Sequence, residues 1–122
     1  RGEVRWLRVQ SLERAGRLDE ALSESEAMLA APEGRALSSE IHWLRARIYA
    51  NVRNDCQRAT SELVALVGEP GPRGDEAEML RAACLERLGR TSDALAAYRK
   101  YLERAEPRRL NEARAKVEAL GP

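Results

Sequence analysis

The chain has 122 residues, 43% hydrophobic and 34% charged, and its 21 Lys and Arg against 20 Asp and Glu leave a net charge of +1. That length suits one domain with a core of its own, and the absence of any run near ~18 apolar residues excludes a membrane-spanning segment. Plentiful apolar residues exclude disorder, and the interspersed charges sustain no field that would draw nucleic acid or anionic lipid.

Ala, Leu and Arg dominate, Phe is absent and β-branched residues are few. These are preferences of helices rather than strands, so the fold class is all-α. Arg is strongly preferred over Lys, which occurs only as Lys100 and Lys116. This reflects GC-rich coding rather than a phosphate site. Opening at Arg1 without a signal-peptide pattern, the chain reads as a processed product or an excised domain.

In chain order, the pattern predicts helices over 3–15 and 19–30, a loop over 31–37, and helices over 39–53 and 56–67. A Pro- and Gly-containing loop follows over 68–74, then helices over 75–88 and 92–105. Pro107 suits the first turn of a seventh helix over 108–120. Each pair turns at a residue that tolerates the left-handed conformation: Gly16, Asn54 and Gly89. An Ala stands five residues after each, at Ala21, Ala59 and Ala94. A helix–turn–helix hairpin is thus written three times, over approximately 2–36, 38–73 and 74–107, within a single domain spanning 1–122. Glu13–Arg17, Glu86–Arg90 and Glu112–Lys116 are spaced i, i+4, worth about 0.2–0.5 kcal/mol each as intrahelical pairs.

These residues resemble the tetratricopeptide repeat family. The second unit carries the pattern at Trp43, Ala46, Ala50, Asn54, Ala59, Leu63 and Pro70. The third carries it at Ala82, Leu85, Gly89, Ala94, Tyr98 and Pro107, with Glu78 and Arg81 departing from the large positions. The first offers Val9, Leu12, Gly16, Ala21, Ser25 and Pro32, with Trp6 one residue past its usual place. The resemblance covers roughly residues 3 to 107. It implies a right-handed superhelix, an α-solenoid, whose inner groove is lined by the first helix of each hairpin. Leu110, Ala113, Val117 and Leu120 recur at helical spacing, as a capping helix over the last hairpin requires.

Carried over residue by residue, the inward positions are Trp6, Gln10, Leu44, Arg45, Ile48, Asn51, Met79 and Arg87, with Glu76, Leu80 and Ala83 beside them. Trp with Arg and Asn is a composition suited to protein binding, whereas Trp43 at a family core position reads as packing. The Lys and Asn clamp that some family members use for a C-terminal carboxylate has no counterpart here.

No catalytic constellation appears. His42 is the only histidine, so no His-based metal cluster is available, and no Gly-rich phosphate loop occurs. The reading is of a chain that is not an enzyme and takes no cofactor, metal, nucleic acid or small-molecule substrate. Cys56, in the turn of the second hairpin, and Cys84, in the first helix of the third, have two readings: a disulfide, if adjacent first helices packing side by side bring them within the ~4.4–6.8 Å Cα range, or two small buried apolar residues. A disulfide would place the domain in an oxidising compartment, such as a periplasm. The function implied is a non-catalytic protein-binding module, an adaptor or scaffold in a bacterial envelope or secretion assembly. The alternative is a regulatory domain of a longer cytosolic transcription or signalling protein.

Overall fold

The structure, a computed structural model, describes residues 1–121. Seven helices form and no strand occurs among the described residues: α1 Gly2–Arg14, α2 Leu18–Ala30, α3 Ser38–Arg47, α4 Cys56–Leu63, α5 Pro72–Arg87, α6 Thr91–Tyr101 and α7 Leu110–Leu120. Each helix packs on the next in chain order.

Three turns make this possible. Gly16, Asn54 and Gly89 take φ of 77°, 52° and 78°, and Asn54 is the one non-glycine residue with positive φ among those described. Asp55 then caps α4, its Oδ1 accepting from the Arg58 backbone N–H at 3.0 Å. Ala21, Ala59 and Ala94 are fully buried where paired helices meet, and a larger side chain there would hold the helices apart.

The apolar residues gather in three successive clusters. Val9, Leu12, Ala21, Met28, Ile41 and Ile48 join α1 and α2 to α3 and its continuation. Ala46, Ala59, Leu63, Ala77 and Cys84 join α3 and α4 to α5. Met79, Leu85, Ala97, Tyr98, Tyr101 and Ala113 join α5 and α6 to α7. Helices α3 and α5 therefore each serve two clusters, one on either flank. No hairpin buries its apolar face alone.

Several boundaries differ from the predicted ones. Residues Pro32–Leu37 form a 3-10 turn rather than an irregular loop. The third helix passes at Ile48–Val52 into a π-helical turn, in which the Arg53 N–H donates to the Ile48 carbonyl. This leads directly into the left-handed Asn54. Helix α5 begins at Pro72, not 75, because Gly71 at φ 90° turns the chain and Pro72 suits a first helical position. Helix α6 ends at Tyr101, and α7 starts at Leu110, so Pro107 lies before the seventh helix rather than in its first turn.

The predicted i, i+4 ion pairs are replaced by others. Glu13 reaches Arg47 of α3, while Arg17 pairs with Glu20. Glu86 meets Lys116 of α7, Arg90 meets Asp93, and Glu112 meets Arg109. The cause for the first two is geometric: a left-handed residue stands between Glu13 and Arg17, and another between Glu86 and Arg90. No common helix face survives that turn.

Candidate functional site

Helices α3 and α5 flank a cleft of about 200 Å³. Its floor is apolar, made by Met79, Leu80 and Ala83 of α5 and by the indole of Trp43 on α3. One turn beyond Trp43, the Arg47 guanidinium lies 5.9 Å from the ring centroid, a cation–π contact, and also bonds Glu13 at 2.9 Å. Asn51, carried by the π-helical turn, and Glu76 at the first turns of α5 add an amide and a carboxylate. Arg109 enters from the segment before α7, held by its backbone N–H donating to the Tyr101 hydroxyl at 2.8 Å. Its guanidinium holds Glu112 below the usual carboxylate range by direct hydrogen bonds.

The inward residues expected from the family pattern do not all meet here. Asn51 and Met79 line the cleft, with Glu76, Leu80 and Ala83. Leu44 and Ile48 are 1% exposed and belong to the first cluster, so they hold α1 and α2 rather than present themselves to a partner. Arg45 is 5% exposed. It donates to the Leu22 carbonyl, the Ser25 hydroxyl at 2.9 Å and Glu62 Oε2 at 3.0 Å, tying α2, α3 and α4 together. Trp6 is drawn against the first cluster, Gln10 is half-buried on the same helix, and neither lines the cleft. Arg87 is exposed, but its guanidinium bonds the Asn54 side-chain carbonyl across the turn.

Trp43, read from sequence as core packing, faces the cleft on one side and the second cluster on the other. The available signal was Arg47 four residues on, since a Trp flanked on its own helix face by Arg stands at a boundary between core and water. His42 belongs to the Arg45 network, its Nδ1 2.8 Å from Glu62 Oε1. Burial alone would raise the Glu62 carboxyl; hydrogen bonds from His42 and Arg45 outweigh it and hold the group below its ordinary value of 4.5.

A wider recess of about 650 Å³ lies between the 68–72 loop, α5 and the segment after α6. Its inner charges are tied to one another and to the backbone, while Lys100, Glu103, Glu106 and Arg108 also line it. Arg104 donates to Glu78 Oε2 at 2.8 Å and to the carbonyls of Glu69 and Gly71, and Glu78 Oε2 also accepts from the Gly68 N–H. Asp75 accepts from the Tyr101 hydroxyl at 2.8 Å and the Arg108 N–H at 3.0 Å. These bonds fasten the loop and the last helix to α5. They also account for Glu78 standing where a large apolar residue was expected.

Cys56, the first residue of α4, and Cys84 of α5 are paired as a disulfide with Cα atoms 5.1 Å apart. The partners are the second helix of one hairpin and the first helix of the next, rather than two adjacent first helices. Among the described residues no group of three His, Cys, Asp or Glu side chains is placed to hold a metal, and no helix is long and apolar enough to cross a membrane. Comparison of the chain with protein-family models, characterised proteins and solved structures returns no match.

Proposed function

We propose that the chain is a tetratricopeptide-like, right-handed superhelical array that works as a non-catalytic protein-binding module, holding a segment of a partner protein in the cleft between α3 and α5. The observation that carries this reading is the composition of the cleft. An indole and a Leu line one recess above the buried Met79, with an amide and charged groups at its rim. Aromatic surface beside Arg and Asn is what concentrates binding energy at protein interfaces. The serial sharing of α3 and α5 between clusters supports the array. The Cys56–Cys84 pairing supports an oxidising compartment, and with it an adaptor or scaffold role in a bacterial envelope or secretion assembly.

The test is selection of displayed peptides on the intact domain, followed by affinity measurement against two variants. Trp43→Ala removes the anchor, and Ala83→Arg fills the recess from the other wall. Each is expected to weaken the selected peptides at least about tenfold, or ~1.4 kcal/mol, with helicity by circular dichroism unchanged. Peptides that bind both variants as tightly as the parent would place recognition elsewhere.

A further inference from the structure

Two ladders of side chains run along the cleft between α3 and α5. On the α3 side they are Trp43, Arg47 and Asn51, with Asn54 following in the turn. On α5 they are Glu76, Leu80 and Ala83, and Arg87 continues the same helix face one turn on. The Arg87 guanidinium bonds the Asn54 side chain, so the two ladders meet at that end.

The charges along the ladders are unevenly compensated. Arg47 is paired with Glu13, and Arg109 with Glu112. Glu76 is exposed and has no ionic partner among the described residues. One turn before it, the Arg73 guanidinium is shared by two carboxylates, Glu69 at 2.7 Å and Glu40 at 3.8 Å. Arg87 is exposed as well, and the group it bonds is a neutral amide. Negative charge is therefore left over toward the start of α5 and positive charge at its last turn. Glu76 and Arg87 stand about 16 Å apart along the helix axis. Leu80, Ala83 and the indole of Trp43 lie between them.

An apolar recess alone would leave the register of an occupant open, whereas opposite charges at a fixed separation define it. The narrow recess suits an extended chain rather than the ~10–12 Å cylinder of a helix. An extended chain rises about 3.4 Å per residue and covers ~16 Å in about five residues. Given a partner segment bound in this cleft, as proposed above, we infer that the segment is extended and bears both signs of charge. A Lys or Arg meets Glu76, an Asp or Glu about five residues away meets Arg87, and a large apolar side chain between them rests on Trp43 and Leu80. Charges of this kind select among partners more than they add affinity, and they weaken with salt.

The test takes linear peptides selected by display on the intact domain and titrates them, as synthetic peptides, at low salt. Enriched peptides are expected to carry a basic and an acidic residue on either side of a large apolar one. Changing the basic residue of such a peptide to Glu weakens it at least about fivefold on the parent, and Glu76→Arg restores it. Changing the acidic residue to Lys weakens it likewise, and Arg87→Glu restores it. Asn54→Gly removes the tether to Arg87 while keeping the charge, and leaves the affinity unchanged. Peptides that depend on Trp43 yet are indifferent to Glu76→Arg and Arg87→Glu overturn this inference and leave the binding role of the cleft standing. An Asn54→Gly variant as impaired as Arg87→Glu overturns it in the same way. Selection that yields no Trp43-dependent peptide overturns both.

Discussion

Asn54 carries the second hairpin turn at φ 52°, a conformation that Gly supplies at the other two turns. Its side chain adds something Gly lacks, a bond accepted from Arg87 of α5. The residue therefore combines left-handed tolerance with a tether between hairpins two and three. Asn54→Gly keeps the backbone and loses the exposed tether, so unfolding in urea should change by no more than about 0.5 kcal/mol. Asn54→Ala keeps neither the tether nor the ease of the left-handed region, and should cost about 1–2 kcal/mol. Equal midpoints for the two variants would mean that the turn is not strained by an ordinary side chain. Gly74 is constrained differently: any Cβ there would strike the Glu69 carbonyl, so the chain can bend closely around the start of α5 only without one.

At the scale of elements, helix starts follow one device with two polarities. Arg17, Arg90 and Arg109 precede α2, α6 and α7, and each pairs with the acid three residues on. At α4 the order reverses, with Asp55 paired to Arg58. The acidic member then caps the backbone directly, and its carboxyl is held below the ordinary range by the Arg58 N–H and guanidinium. The start of α4 is also where Cys56 joins Cys84, closing a sequence separation of 28 residues. Constraint of the unfolded chain by a loop of that length is worth about 3.5 kcal/mol in the chain-entropy model. Cys56→Ala with Cys84→Ala should therefore lower the urea-unfolding free energy by about 2–4 kcal/mol relative to the oxidised parent. The intact mass should be two hydrogens low until the protein is reduced. If the thiols of the non-reduced, unfolded protein alkylate freely, the bond is absent and the argument for an oxidising compartment goes with it.

For the whole molecule, the Arg45–Glu62 pair couples three helices, and both side chains are largely out of water, 7% and 13% exposed. Removing Arg45 leaves the half-buried Glu62 with His42 as its one remaining side-chain partner. Arg45→Leu should cost about 3–5 kcal/mol, and adding Glu62→Leu should recover much of the loss, because two apolar residues no longer ask for each other's charge. A double variant as unstable as the single would show that Arg45 matters through its bonds to α2 instead. The same pair sets an acid limit. The folded carboxyl of Glu62 lies below its ordinary value of 4.5, so near that pH the unfolded chain binds the proton more readily than the folded one. Its contribution is complete above about pH 4.5 and is lost as the pH falls through the lower folded value. Urea titrations from pH 7 downward should show stability falling below about pH 4.5, with a shallower fall in Glu62→Gln. An identical fall in both proteins would assign the acid sensitivity to other carboxylates.

Local chemistry by itself determined the helices and their turns. Helix-forming composition, left-handed-tolerant residues at Gly16, Asn54 and Gly89, and alanines five positions later are all properties of short stretches of chain. The same locality explains the misplaced ends of α5, α6 and α7, since a helix end depends on what its last turn packs against. Tertiary structure alone decided which charged and aromatic residues are spent on cohesion. Arg45 stands at a position that pattern assigns to a surface, yet α2 and α4 close over it and take up its donors. Trp43 stands at a position that pattern assigns to the core, yet the packing of α3 against α5 leaves part of its ring open. Burial is a relation between elements distant in sequence, and spacing along one helix does not contain it.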